Sequence, residues 1–532
     1  MEENQVLSRF RHWDELESKN SVGVITTLLS EQLLSQSLNT HTISFENYIE
    51  DIELYDIDTV FIDNDLYEND HDWYKKNRGF LVNYLKNNDI NIVVIKNTTL
   101  EVSSVFKNAF LMELNPDLND YQLNNGILKS PLLVNTDAYN PINSHKNIDV
   151  LYFSVGKLKA SPQIKLYNKT FDPEFKVISE GNLSRRLTKK LFSFAKNSKV
   201  LYICESAKLD AITLKFIEVI AYLSSTNVIY DYTYNFNPKY GYNSRDDKNN
   251  VSKLRILIKS DVYCMKQVLY NQRQALNYNT FLMNTSLLEY ITLGKSKKVI
   301  PQVSVITSTN RKENLDFYFN QMNQQKEVDI EINLVTHGFQ LTSEELKHYK
   351  SLSNYPVKIH FMEQNNSLGV CLNKCVESST HSVIAKVDDD DFYLDYYLFD
   401  QWLALKYSYA EVVGKSEGYY YFEKDDVISR RNTGRFYKFD NFIMGATIMI
   451  KSEMMKELMF SDIPKAVDTD LLRRVGELNG KIYIGHPFEM CVFRSANLEG
   501  HTWKVNDLMM LKSSEIVSFG DPKSYVKLNQ TT

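Results

Sequence analysis

Short apolar runs alternate with longer stretches of helical periodicity along the first half of the chain. Five of the runs, rich in β-branched residues, are predicted strands, at residues 59–62, 91–95, 148–153, 199–203 and 227–230. Strands that alternate with helices are typical of parallel sheets joined by crossover helices. The pattern therefore predicts an α/β fold for this half of the chain.

The same alternation resumes after residue 302. Strands are predicted at residues 303–306, 332–335, 357–361 and 383–387. The clearest helical patterns between them lie at residues 314–325 and 368–377. This order indicates the start of a doubly wound α/β domain, in which ligands bind beyond the carboxyl ends of the strands.

Two breaks in the pattern predict domain boundaries. Residues 135–147 are polar and rich in turn-forming types, and residues 294–302 carry glycine, lysines and proline after a long helical pattern. At 532 residues the chain also exceeds the size at which one hydrophobic core usually stops growing. We therefore predict three domains, at residues 1–145, 146–296 and 297–532.

Candidate chemistry is concentrated directly after the predicted strand at residues 383–387, where four consecutive aspartates occupy positions 388–391. Four carboxylates at one strand end repel one another unless a cation neutralises them. Mg²⁺ and Mn²⁺ prefer oxygen ligands and commonly join a few carboxylates to substrate phosphates. The run indicates a metal site, and a solvated acidic turn is the alternative.

Composition narrows the class of partner. The net charge of −6 and the pI near 6.0 argue against nucleic acid, because binding to its phosphates normally requires a basic face. The N-terminus lacks the pattern of a secretory signal, and no apolar stretch approaches the roughly 20 residues of a membrane-spanning helix. We therefore expect a cytoplasmic protein.

The five cysteines are too few for a disulfide framework, and their number is odd. Cys371 and Cys375 would share one face of a helix, but no further Cys or His pair nearby completes a zinc site. Both side chains are therefore expected to pack in a core.

Residues 303–311, followed by the acidic run, resemble the nucleotide-binding half of family-2 glycosyltransferases with the GT-A fold. In that family the turn after the first strand contacts the nucleotide. Thr309, Asn310 and Arg311 match this turn, with Ser308 in place of the usual proline. The resemblance implies a nucleotide-sugar-binding domain with a mixed sheet.

The resemblance also implies roles within the acidic run. Asp388 would contact the nucleotide ribose or a metal ion, and Asp390 would be the direct metal ligand. Asp389 and Asp391 would lie beside the nucleotide-sugar. His501 resembles a histidine that supplies a further ligand in several metal-dependent members. The implied cofactor is Mn²⁺ or Mg²⁺, which would stabilise the departing nucleoside diphosphate.

Other segments match the family only in part. Residues 336–339 replace the usual Asp-Asp-Gly-Ser turn, which leaves His337 as the candidate for a hydrogen bond to the base. Asn373 matches an asparagine of the family, and the resemblance implies that it contacts the nucleotide-sugar. Gly445 and Ala446 resemble the segment that lines the acceptor and the donor sugar, where glycine permits close approach of the backbone.

A transfer that inverts the anomeric carbon in one displacement needs a general base at the acceptor hydroxyl. Asp468 is the candidate, because it matches the second residue of the family's Glu-Asp motif, in which Val467 replaces the glutamate. The motif lies at a predicted helix start, where the helix dipole favours an ionised carboxylate. A plain helix cap is the alternative role for Asp468, and Asp470 is a weaker candidate for the base.

The first 296 residues resemble a degenerate GT-B glycosyltransferase of the CgeB-like kind, with two Rossmann-like units. Residues 211–229 resemble its donor-site helix and the strand that follows, and Glu218 matches a ribose-binding glutamate. The turn at residues 224–227 lacks the usual glycine. A scaffold, acceptor-binding or dimerising role is therefore preferred over a second active transferase.

Together these features predict a metal-dependent, inverting glycosyltransferase. It would move sugar from a UDP-sugar to a cell-envelope glycan or a teichoic-acid-like polyol-phosphate acceptor. A lipid-linked acceptor would bring it to the inner face of the cell membrane. The sequence also leaves open whether the protein forms a homo-oligomer. One alternative is a nucleotidyltransferase, but residues 308–311 supply no Gly-rich phosphate loop. The others are a non-catalytic glycan-binding or assembly scaffold, and a bifunctional enzyme with a second site in the first half.

Overall fold

The computed structural model describes residues 21–528 with gaps. The gaps are residues 27–29, 31–33, 35–37, 45–46, 65–77, 97–101, 103, 107–108, 125, 156–164, 166, 170–172, 181–184, 205–208, 231–241, 244–246, 288–289, 291–294 and 497–506. The chain divides into two compact units. The first comprises Met1–Pro141 and His145–Val299, and the second comprises Ile142–Ser144 and Ile300–Thr532.

A seven-stranded sheet lies in the first part of the first unit. Its strands are β1 (Ser21–Ile25), β2 (Asn39–Thr42), β3 (Thr59–Asp63), β4 (Asn91–Lys96), β5 (Phe110–Leu114), β6 (Gln122–Asn124) and β7 (Ile127–Ser130). They are ordered β2-β1-β3-β4-β5-β7-β6, and only the β6–β7 pairing is antiparallel among these described strands. Helices α1 (Tyr48–Leu54) and α2 (Arg78–Asn87) lie in two of the crossovers.

A second parallel sheet follows in the same unit. Its strands are β8 (Ile148–Val155), β9 (Phe175–Glu180), β10 (Ser198–Ile203), β11 (Asn227–Tyr230) and β12 (Tyr242–Asn243), in the order β12-β11-β10-β8-β9. The helices are α3 (Arg185–Lys196), α4 (Ala211–Leu223), α5 (Asp247–Lys259) and α6 (Asp261–Tyr278). Every residue of α4 after Ala211 is buried, because the helix itself carries apolar side chains on all of its faces.

The second unit is built on an eight-stranded mixed sheet. Its strands are β13 (Gln302–Thr309), β14 (Asp329–His337), β15 (Val357–Met362), β16 (Val383–Lys386), β18 (Val412–Gly414), β21 (Lys438–Phe439), β22 (Met449–Lys451) and β23 (Ile482–Ile484). They are ordered β15-β14-β13-β16-β22-β18-β23-β21. The first four strands of this order are parallel, and β22 is antiparallel to both of its neighbours.

The second unit also contains a smaller sheet of five strands. Its strands are β17 (Phe392–Tyr393), β19 (Gly418–Phe422), β20 (Val427–Arg431), β24 (Met490–Arg494) and β25 (Glu515–Phe519), in the order β17-β24-β19-β20-β25. The helices of the unit are α7 (Leu315–Asn323), α8 (Ser343–Leu352), α9 (Leu368–Ser378), α10 (Tyr397–Ser408), α11 (Ser452–Leu458), α12 (Val467–Glu477), α13 (Asp507–Lys512) and α14 (Pro522–Val526).

The core of the second unit explains its strongest sequence pattern. Residues 303–307 and 330–336 are buried along β13 and β14, as expected for parallel strands covered on both faces. Cys371 and Cys375, on α9, pack in this core, which confirms the packing prediction. None of the helices in the described part of the chain is both long and apolar enough to cross a membrane.

The α/β prediction is confirmed, since each predicted strand coincides with an observed one to within a few residues. The strand predicted at 383–387 ends one residue earlier, at Lys386. The division of the first unit at residue 145 and its GT-B-like character stay proposals.

Candidate active site

Two central strands bring the turn after β13 next to the acidic run. β13 and β16 are parallel neighbours, with Ile306 paired to Lys386. The Thr307 hydroxyl fixes the junction, because it donates a 2.8 Å hydrogen bond to the carbonyl of Val387. Both strands therefore end at one edge of the sheet, the edge at which open α/β sheets bind ligands.

Asp389 is the buried anchor of this edge, with 2% of its surface exposed. One carboxylate oxygen accepts hydrogen bonds from the Thr309 hydroxyl at 2.7 Å, Arg311 Nε at 3.1 Å and the Asn314 amide at 3.0 Å. A terminal nitrogen of Arg311 donates to the other oxygen. Asp389 therefore fixes the turn after β13, and its predicted contact with the donor stays a prediction.

Asp390 is more open, with 22% of its side chain exposed, and it accepts a 2.7 Å hydrogen bond from Arg311. Burial raises the pKa of Asp390 above its ordinary value, although Arg311 opposes this rise. The charges of Asp388 and Asp389 raise it further. Asn310 lies nearby in sequence and is exposed. A bound cation would lower this pKa, because positive charge favours the ionised carboxylate.

Asp391 faces the protein interior. It is 5% exposed, and its Oδ1 accepts a 2.9 Å hydrogen bond from the backbone N–H of Phe493 on β24. Burial raises its pKa well above the ordinary value, with further contributions from Asp390 and Asp388. Asp391 therefore ties the acidic run to the smaller sheet, and its predicted role beside the donor stays a prediction.

Lys386 joins two of the predicted site residues and was missed from the sequence. Its Nζ lies 2.7 Å from Asp388 Oδ1 and 3.5 Å from Asp468 Oδ2, and only 4% of the residue is exposed. Burial opposes its charge, but Asp388 and Asp468 outweigh burial and raise the pKa of Lys386. A single lysine at the end of an apolar strand was the available signal, because strand periodicity places residues 386 and 388 on the same side.

Asp468 lies in the first turn of α12, and Ala466 occupies the N-cap position. The alternative role of Asp468 as the helix cap is therefore wrong. Burial raises the pKa of Asp468 above its ordinary value, and the nearby ammonium of Lys386 opposes that rise. Its Oδ1 is buried and accepts no hydrogen bond from the residues that the structure describes. Oδ1 of Asp468 thus has hydrogen-bonding capacity that the described residues do not use.

Gly445 gives Asp468 room to reach Lys386. A Cβ at position 445 would lie 2.0 Å from Asp468 Oδ2, far inside van der Waals contact. The carbonyl of Ala446 accepts a 2.9 Å hydrogen bond from the Tyr393 hydroxyl, which in turn accepts one from the backbone N–H of Asp388 at 3.0 Å. The predicted acceptor segment is therefore next to the acidic run, while its contact with sugar stays a prediction.

Asp470 has different surroundings, although it is in the same helix. It accepts hydrogen bonds from Ser461 Oγ at 2.6 Å, Arg473 at 2.7 Å and Arg474 Nε at 2.8 Å. The hydrogen bonds from Ser461 and then Arg473 lower its pKa below the ordinary value. Asp470 is a structural ion-pair partner, so Asp468 is the better candidate for a base.

The remaining predicted residues are placed less directly. His337 ends β14, and its buried Nε2 has no hydrogen-bond partner within the described ranges. Asn373 holds the backbone of Phe460 through both ends of its amide, at 2.8 and 2.7 Å. His501 lies outside the described residues. The predicted contacts of these three residues with donor or metal stay predictions.

The carboxylates of the acidic run fit a metal ion that is held jointly with substrate phosphates, rather than a preformed metal centre. Among the described residues, no group of three or more His, Cys, Asp or Glu side chains is placed to hold an ion. Asp388 and Asp390 keep 38% and 22% of their side chains exposed. Mg²⁺ commonly takes one or two carboxylates and completes its shell with water and substrate phosphates.

The family model for glycosyl transferase family 2 matches residues 304–463. The O-antigen biosynthesis glycosyltransferase WbnJ of Escherichia coli is 25% identical over 190 residues, which cover 34% of this chain and 74% of that protein.

Solved structures also align with part of the chain. S. aureus TarS 1–349 is 15% identical, with a TM-score of 0.28, over 36% of this chain and 60% of that one. The mannosyltransferase PcManGT from Pyrobaculum calidifontis, in complex with GDP-Man and Mn²⁺, is 11% identical, with a TM-score of 0.31, over 45% of this chain and 67% of that one. The chain thus spans about 60% of the TarS fragment.

Proposed function

Residues 304–463 are a family-2 glycosyltransferase domain, and from this premise we propose that the second unit transfers a sugar from a nucleotide-sugar to an acceptor hydroxyl. One observation carries the proposal. The carboxylates of Asp388 and Asp468 both lie against the buried ammonium group of Lys386. A donor-side carboxylate and a candidate base thereby lie together, although they are distant in sequence.

Asp468 acts as the general base in this proposal. It takes the proton of the acceptor hydroxyl while the hydroxyl oxygen bonds to the anomeric carbon and the nucleoside diphosphate leaves from the opposite side. The configuration of that carbon is therefore inverted. Because burial raises its pKa, Asp468 is a stronger base than an exposed aspartate once it is ionised.

The donor side is formed by the turn after β13 and the acidic run. Asp389 holds Thr309 and Arg311 in place, which presents residues 309–311 toward the nucleotide. Asp388 and Asp390 are the side chains that would hold Mn²⁺ or Mg²⁺, together with His501 by the family resemblance. When bound, the ion supplies positive charge to the two donor phosphates.

The donor is proposed to be a UDP-sugar, on the basis of the family resemblance. The acceptor is proposed to be a cell-envelope glycan or a polyol phosphate. Partial similarity to an O-antigen biosynthesis glycosyltransferase supports the envelope assignment. A lipid-linked acceptor would hold the protein at the inner face of the cell membrane.

Donor hydrolysis without acceptor tests the proposal. UDP-, GDP- and CDP-sugars are incubated with the protein, with and without Mn²⁺. We expect one donor to be hydrolysed only with metal, and Asp390→Ala to lower that rate by about 100-fold or more. Lys326→Met is the control and should hydrolyse the donor at the native rate. The exposed ammonium of Lys326 pairs with Asp395, and Asp395 keeps a second partner, Lys527, at 3.1 Å.

The contrary result is that no donor is bound or hydrolysed, with or without metal. A non-catalytic glycan-binding or assembly scaffold would then be the better assignment. Val467 in place of the family glutamate, and His337 in place of the usual acidic turn, are the features that favour this second candidate.

A further inference from the structure

Lys386 is a buried cation shared by three oxygen atoms. Its Nζ lies 2.7 Å from Asp388 Oδ1, 3.5 Å from Asp468 Oδ2 and 3.4 Å from the carbonyl of Gly445. An ammonium group has three N–H donors, so these oxygens match its hydrogen-bonding capacity. Burying such a group is costly unless its partners are well placed.

The backbone of Lys386 is held within the sheet. Lys386 is the last residue of β16, which lies between β13 and β22, and its N–H donates to the carbonyl of Ile448 at 2.8 Å. Asp388 and Asp468 lie beyond the sheet, in the acidic run and in α12. The lysine is therefore the rigid point to which both carboxylates attach.

We propose that Lys386 is a positioning residue for the transfer, which holds the donor-side Asp388 and the base Asp468 in one fixed relation. This inference rests on the proposed function. A general base must lie within hydrogen-bond reach of the proton that it takes. Misplacement by 1 Å can cost about 100-fold in rate, so a fixed anchor for Asp468 has a direct kinetic consequence.

Lys386→Met removes the ammonium and keeps much of the aliphatic stem. We expect kcat for transfer to fall by about 100-fold or more and KM for the donor to rise by a smaller factor, because Asp388 loses its anchor while the turn after β13 is untouched. Lys386→Arg keeps a cation and should recover at least about tenfold over Lys386→Met. A merely structural role would lower the melting temperature while leaving kcat of the folded fraction unchanged.

Gly445→Ala provides a second variant that changes no charge. Its added Cβ would displace the Asp468 carboxylate from Lys386, so the same loss of kcat at near-constant donor KM is expected. The double variant Lys386→Met/Asp468→Asn should be no more than about twofold slower than Asp468→Asn alone, because the two residues act as a unit.

The outcomes separate this inference from the proposed function. If the native protein turns over no donor, the proposed function itself fails. If the native protein is active and Lys386→Met keeps its kcat, Lys386 is not a positioning residue and the transferase proposal stands. Should Lys386→Met fail to fold, Lys386→Gln replaces it, because its amide keeps hydrogen-bonding groups at the buried site without the charge, and a native kcat in that variant overturns the inference.

Discussion

Each unit of the protein buries a lysine beside carboxylate groups, and the two arrangements differ in charge balance. In the first unit, Lys215 donates to Glu218 at 3.1 Å, and the Tyr222 hydroxyl donates to the other oxygen of Glu218 at 3.2 Å. The side chains of Lys215 and Glu218 are 6% and 1% exposed. Lys215 therefore gives Glu218 a buried cationic partner.

In the second unit the balance is uneven. Lys386 faces both Asp388 and Asp468, and two further aspartates with raised pKa values follow in the chain, Asp390 and Asp391. Even with Arg311 paired to Asp389 and Asp390, carboxylates outnumber cations among the described residues of this cluster. A buried carboxylate paired with a lysine is typical of a structural contact, whereas an excess of crowded, partly exposed carboxylates marks a place that a cationic or proton-bearing ligand can complete.

The comparison also bears on the bifunctional alternative. Glu218 matches a ribose-binding glutamate, yet it is fully buried and held by Lys215 and Tyr222. With 0% of the residue exposed, Glu218 presents no surface to a ligand in this conformation. Glu218 therefore favours the scaffold interpretation of the first unit over a second donor site.

The largest change in transfer rate is expected from the aspartates around Lys386. Asp468→Asn should lower transfer by about 10²–10⁴-fold, because it removes the base while keeping the shape of the side chain. The rate is measured with the donor identified by hydrolysis. Asp470→Asn is the matched control two positions along the same helix, and the kcat of its folded fraction should equal that of the native protein. Equal losses in both variants would contradict the assignment.

The next effect is a loss of stability when the Lys215–Glu218 pair is broken. Glu218→Ala should lower the free energy of unfolding by about 3–5 kcal/mol, because it leaves a buried ammonium without its carboxylate. The double variant Lys215→Met/Glu218→Leu should recover most of this loss, since both members of the buried pair are removed. Denaturant unfolding measures both. A loss of donor binding without a loss of stability would break the comparison and give Glu218 a ligand role.

The smallest expected effect is a displacement of the pH profile. Asp468 must be ionised to act, and burial raises its pKa, so activity is lost as pH falls through a value above that of an ordinary aspartate. Below that value kcat/KM should fall about tenfold per pH unit. Circular dichroism over the same range establishes that the fold persists. An acid limb at or below the ordinary aspartate pKa would show that Asp468 is not the titrating base.

Local pattern was sufficient for much of the fold. β11 was predicted at its observed bounds, because a short apolar run in a parallel sheet is buried along its whole length. The smaller sheet of the second unit was not predicted. β20 pairs with β25, which is far away in sequence, and such non-local pairing leaves no periodic signal in either segment.

The site was predictable in composition but not in detail. Four adjacent aspartates marked the location, yet only the fold determines that Asp389 faces Arg311 and that Asp391 faces the backbone of Phe493. Lys386 was missed for the same reason. Its two carboxylate partners lie on different segments, and nothing in the sequence pairs a strand lysine with Asp468.

Hydrogen–deuterium exchange, with Mn²⁺ and the nucleotide-sugar identified in the hydrolysis assay, locates the bound donor, because it reports on both units in one experiment. We expect slower exchange in peptides that cover residues 305–311 and 386–393, with no change across Ala211–Leu223. Protection confined to Ala211–Leu223, with none at residues 386–393, would place the donor in the first unit and contradict the function proposed for the second.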